Sequence, residues 1–127
     1  MRVWDFPPKY LCQKHLLGQH NEIHTIYNVY FKERRGWRNH PEVKRWAHCI
    51  EQLVEAHDDT ACEMIMRGYN HRTPLDFEWI THAYMGGELE LWESLESQLN
   101  NLIQKECACD IAGIKQYILQ QSTRVYS

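Results

Sequence analysis

The chain reads as an all-α fold, a single domain of three main helices with an extended N-terminal arm. Three observations predict it. Apolar residues recur at threes and fours over long stretches. Helix-entry and helix-exit residues bracket those stretches. Runs of alternating apolar and polar residues, the mark of a half-buried strand, are nearly absent. The 127 residues suffice for one core, and 43% hydrophobic against 24% charged residues is a globular composition.

The arm comes first: residues 1–6 are expected to be extended, with Pro7-Pro8 opening a helix because proline's fixed φ suits a first turn. From Lys9 to about Arg34, Leu11, Leu16, Ile23, Ile26, Tyr27 and Tyr30 fall on one apolar stripe, and Gly18 loosens or bends this first helix. A loop over 35–39 follows. The second helix is expected from Asn39 or His40, with Pro41 in its first turn and Glu42 placed for the helix dipole. Its core face runs from Val43, Trp46 and Ala47 through Ile50, Leu53 and Val54 to Ala61, Met64 and Ile65. Arg67 closes it and Gly68 supplies a left-handed cap. Beyond a loop over 70–74, a short helix is expected over 76–85. The third long helix is expected over 88–106 with Leu89, Trp92, Leu95, Leu99, Leu102 and Ile103 inward. A short helix over 110–121 completes the fold.

Composition then narrows function. No segment is apolar enough to span a bilayer and MRVWDFPPKY is no signal peptide, so the chain is expected to be cytoplasmic, off the membrane and monomeric. Five scattered cysteines make a disulfide framework improbable, and Cys107-x-Cys109 lacks a second CxxC or a paired His, so no zinc is expected there. His20 and His24 have the spacing of a metal pair, yet HNEIH is not HExxH; they read as exposed residues. His57, between Leu53 and Ala61, reads as a hydrogen-bonded core histidine. With no P-loop, GxSxG or dinucleotide-binding pattern, no cofactor or metal is expected.

The net charge of −3 argues mildly against a nucleic-acid partner, but its distribution does not. The deficit lies beyond residue 82, whereas Lys32, Arg34, Arg35, Arg38, Lys44 and Arg45 face only Glu33 and Glu42 within 32–45. Such a run suits phosphate contacts, and equally a solvated turn between helices.

On the first helix, His15, Gly18 and Glu22 are spaced three, four and seven apart and share one side. Gly18 leaves room for another backbone, so His15 and Glu22 could flank a small cleft floored by it. An ordinary surface pair has the same spacing.

Met1-Arg2-Val3-Trp4, then KHLLGQHNEIH, then MIMRGYNH, together resemble the pyrimidine-dimer glycosylase (endonuclease V) family over roughly residues 1–72. In gapless register His15 and Leu16 match the family's His and Leu, Glu22 its catalytic Glu, and Arg67-Gly68-Tyr69-Asn70 the end of its second helix. The resemblance implies a DNA glycosylase with AP-lyase activity on double-stranded DNA. The N-terminal α-amine attacks deoxyribose C1′ and forms an imine, while the carboxylate stabilises the cationic sugar and assists β-elimination. Arg2 is too bulky for the usual removal of Met1, so Met1 is the implied nucleophile and Arg2 takes the place of the family Arg. An α-amine titrates at about 7.7–8.0, so a useful fraction is neutral without burial, whereas a lysine at about 10.4 needs strong desolvation.

Departures accompany the resemblance. Asn21 and Thr25 stand where the family's phage members place DNA-contacting arginines, and Lys14 replaces a Gln. Their aromatic, basic C-terminal tail is missing. The implied DNA-binding set is therefore Arg2, Lys14, His15, Asn21 and the basic run over 32–45, acting on a lesion or modified base that need not be a dimer. Two other readings stand beside this one. One is a non-catalytic helical DNA- or protein-binding module on the same scaffold; the other is a metal-dependent hydrolase using His15, His20, His24 and Glu22.

Overall fold

A computed structural model describes residues 2–31, 40–47, 49–71, 73–74 and 89–125. Among them are five α-helices and no strand: α1 (Gln13–Phe31), α2 (Pro41–Arg45), α3 (Ile50–Met66), α4 (Leu95–Gln104) and α5 (Ile111–Val125). The all-α expectation holds for these residues. The expected helix over 76–85 and the basic residues Lys32, Arg34, Arg35 and Arg38 lie outside them, as does Met1.

α1 packs on α3, and Leu16, Ile23, Ile26 and Tyr27 of its apolar stripe are buried as expected, the first three fully enclosed. Two clusters form the interior. One joins Ile23, Ile26, Tyr27 and Val29 of α1 to Val43 of α2 and Ile50, Leu53 and Val54 of α3. The other joins Leu11 and Leu16 to Met64, Leu99, Leu102, Ile114 and Ile118, where α4 and α5 close over the start of α1. The N-terminal arm serves both. In an extended chain successive side chains point to opposite sides, so Val3 enters the first cluster while Trp4 and Phe6 enter the second.

Helix boundaries differ from the expected ones, for local reasons. Pro8–Tyr10 forms a 3₁₀ turn and Leu11 is extended, so α1 begins only at Gln13. The second helix is two: α2 ends at Arg45, and α3 starts at Ile50 after a non-helical Cys49. The sequence there has no Gly or Pro to announce a break. The break sets α2 against the arm while α3 packs on α1. The third helix starts at Leu95, where the Ser94 hydroxyl accepts from the Ser97 amide at 3.1 Å as an N-cap. Trp92 and Ile103, expected inward, are exposed. At the end of α3 the expected cap is present. Gly68 has φ +87°, its amide donates to Ile65 O at 2.9 Å, and the Tyr69 amide donates to Met64 O at 2.9 Å. These are the paired bonds of a left-handed helix stop. Among the described residues no helix is long and apolar enough to cross a membrane.

Arg45 is the clearest departure from the surface reading. Its side chain is 3% exposed and pairs with Asp5 at 2.7 Å and Glu42 at 2.9 Å. It also donates to Val3 O at 3.2 Å, tying α2 to the arm. A guanidinium so committed is structural and unavailable to a phosphate. Arg45→Ala is expected to lower the unfolding free energy by roughly 3–5 kcal/mol, because Asp5 and Glu42 would be left facing one another without a counter-charge. Denaturant titration measures this; a loss under about 1 kcal/mol would mean that the pair is in effect solvated.

Candidate active site

The site is built from the arm inward. Three successive arm amides are each satisfied by a side chain from a different region: Val3 N by Glu42 at 2.8 Å, Trp4 N by Gln19 at 2.8 Å, and Asp5 N by Gln98 at 3.1 Å. Gln19 in turn donates to the buried Thr60 hydroxyl at 3.0 Å, which donates to Ala56 O at 2.7 Å. The arm is thus fixed by α1, α2 and α4 together, and indirectly by α3. Arg2 pairs with Glu93, and its guanidinium lies 4.7 Å from the Trp4 ring centre. Although burial acts the other way, the Ser97 hydroxyl, Arg2 and the Asn101 amide hold the Glu93 carboxyl below its ordinary range.

Against this arm lies a cavity of about 430 Å³. Arg2 and Trp4 form one wall; Lys14, His15, Gly18, Gln19 and Glu22 of α1 form the other, and Lys105 closes the rim. The sequence grouping of His15, Gly18 and Glu22 on one helix side is therefore what the fold uses. A Cβ added at Gly18 would meet nothing within 4 Å, so the space above it is open. The Trp4 ring meets His15 edge-on at 6.0 Å between centres. Burial, then the charges of Lys105 and Lys14, lower the His15 pKa. His15 is accordingly a neutral imidazole at neutral pH. The pocket combines one half-buried carboxylate with Lys14, Lys105 and the Glu93-paired Arg2, a mixture suited to an anionic ligand.

A larger cavity of about 550 Å³ lies elsewhere along the arm, but its charged lining is Asp5, Glu55 and Asp59. That rim repels phosphates, so size alone does not identify the site. Asn21 and Lys44 are exposed, off the cavity, and remain free for a backbone contact.

The histidines depart from their expected places. His57 is a hydrogen-bonded core residue as read, but His20, expected exposed, is 6% exposed. His20, His24 and His57 pack ring to ring with centres 4.6–5.0 Å apart, and His71 joins at 5.0 Å from His20. Burial and these neighbours push His20 down to about 4. His57 Nδ1 faces Asp58 at 3.0 Å and its Nε2 faces His24 Nε2 at 3.2 Å. His20 and His24 thus turn to α3 while His15 and Glu22 line the cavity. The fold does not bring together the four residues of a single hydrolase centre.

The fold supplies the partners that Cys107-x-Cys109 lacks in the sequence. Cys12, His15, Cys107 and Cys109 place one ligand atom each within 4.8 Å of one another. Cys12-x2-His15 was the available signal, since it is half of a ligand set whose other half lies far along the chain. Gln19, Gln98 and Lys105 carry no such signal, because their roles arise only when helices meet.

A sequence profile described as pyrimidine dimer DNA glycosylase matches residues 1–77, the stretch holding the arm and α1 to α3. No curated protein and no solved structure matches the chain.

Proposed function

The chain belongs to the pyrimidine dimer DNA glycosylase family, and on that premise we propose that it is a glycosylase with AP-lyase activity of the endonuclease V type. It removes a damaged or modified pyrimidine through an imine at the Met1 amine. The observation that carries this reading is that Arg2, the residue next to that amine, shares one open cavity with Glu22 and Gly18.

In the proposed sequence, the neutral Met1 amine attacks C1′, the C1′–N bond breaks, and the base leaves with its electron pair. Glu22 would take one proton from the attached nitrogen and return it to O4′ as the nitrogen lone pair breaks the C1′–O4′ bond, which leaves a protonated imine. Loss of a C2′ proton then expels the 3′ phosphate. In this reading Glu22, which lines the cavity, balances the positive charge at C1′ and takes up the C2′ proton. Arg2, Lys14 and Lys105 supply the cations that would hold flanking phosphates, with His15 as a neutral donor beside them.

The test is incubation with an abasic-site duplex and sodium borohydride. A covalent adduct is expected; its absence favours a non-catalytic binding module on the same scaffold.

Lys44 is the member of the basic run over 32–45 that is described, exposed and uncommitted to an ion pair. Lys44→Ala is expected to weaken binding to all duplexes alike and to lower the slope of log K against log salt by about one. Measuring affinity at several salt concentrations checks it. An unchanged slope would make the run a solvated turn.

A further inference from the structure

We propose that Cys12, His15, Cys107 and Cys109 form a closed four-ligand site for a thiophilic divalent cation of the zinc class. The geometry comes first. Cys12 Sγ lies 3.2 Å and Cys109 Sγ 3.4 Å from the same His15 Nδ1, and all four ligand atoms fall within 4.8 Å of one another. Tetrahedral zinc, with Zn–S about 2.3 Å and Zn–N about 2.0–2.1 Å, would set S···N edges near ~3.6 Å and S···S edges near ~3.8 Å. The arrangement is on that scale.

Hydrogen bonding points the same way. A ring nitrogen carries one proton or one lone pair, so it cannot satisfy two thiols at once. A cation at the centre gives each sulfur and the imidazole lone pair one common partner. The Cys12 amide donates to Cys109 Sγ at 3.1 Å, a bond that favours an electron-rich sulfur. The turn that delivers the second pair is special. Glu106 adopts φ +51°, an unusual conformation for a residue with a side chain, so that the chain reverses after α4 and returns Cys107 and Cys109 to α1. Three thiolates and a dication sum to −1, and Lys14 and Lys105, which bear electrostatically on His15, offset it.

All four positions are protein groups, so the cation is structural and not a site of chemistry. Two ligands precede residue 77 and two follow it. The cation would therefore staple the helices beyond the family-matched stretch onto its first helix, and hold His15 and Lys105 at the cavity rim.

The experiment uses the full chain, purified under reducing conditions without chelator. Elemental analysis is expected to find zinc. Replacing it with cobalt(II) should give the near-ultraviolet thiolate-to-cobalt absorption of a tetrahedral site. Metal held by the His20, His24 and His57 group, which has no thiol, would lack that absorption, which separates the two. Cys107→Ser should weaken cobalt binding by more than about 100-fold, since loss of even an outer-shell partner costs about 10–100-fold. Cys62→Ser, at an exposed cysteine, should leave the spectrum unchanged. Should Cys107→Ser fail to fold, thiol alkylation of the wild-type chain decides the matter. Zinc is expected to protect Cys12, Cys107 and Cys109 and to leave Cys62 reactive. Wild-type protein with no thiolate–cobalt absorption, an absorption unaltered in Cys107→Ser, or alkylation of Cys12, Cys107 and Cys109 indifferent to zinc would each overturn the proposal.

Discussion

Glu22→Gln is expected to bind duplex DNA as the wild type does while cleaving an abasic strand ~10²–10⁴-fold more slowly, the range that a positioned acid or base contributes. An amide has nearly the shape of a carboxylate, so packing along α1 should survive. It neither takes a proton nor balances a positive charge developing at C1′. Glu22 lines the cavity beside the open space above Gly18, where no Cβ intrudes. Single-turnover cleavage and fluorescence anisotropy on the same duplex separate the two effects. Wild-type cleavage by the variant would transfer the role to another carboxylate, of which Glu93, paired with Arg2, is one candidate.

Blocking the N-terminus should have a comparable effect on a different step. An acetylated Met1 nitrogen is an amide and no nucleophile, so base removal and imine trapping should both vanish while binding persists. A tag left in place should act similarly by displacing the amine. Arg2 is anchored by Glu93 and Trp4 by Gln19, so the arm has little freedom to redirect a displaced terminus into the cavity.

Much of this arrangement was legible in the sequence, where a feature depends on neighbours three or four residues away. The α1 stripe, the Gly68 cap, the His40–Pro41 helix entry and the shared side of His15, Gly18 and Glu22 are all of that kind. Features made by distant residues were not legible. Arg45 sits in a basic run and reads as a surface cation, yet Asp5 and Glu42 draw it inside. His20 reads as exposed until α3 supplies His57 as a neighbour. The break between the end of α2 and the start of α3 has no local breaker; α2 answers to the arm and α3 to α1. Cys107-x-Cys109 looked like half a site without its other half, and the fold brings Cys12 and His15 to it.

Lys14 and Lys105 line the same cavity as Glu22, and either is a rival amine for the imine. The measurement that tests the account most directly is therefore the position of the linkage. Protein trapped on an abasic-site duplex with borohydride is digested, and the sugar-bearing peptide is identified by mass spectrometry. The account predicts the remnant on the α-nitrogen of Met1, and no adduct from the acetylated chain. A remnant on the side chain of Lys14 or Lys105, formed equally well by the acetylated chain, would contradict it.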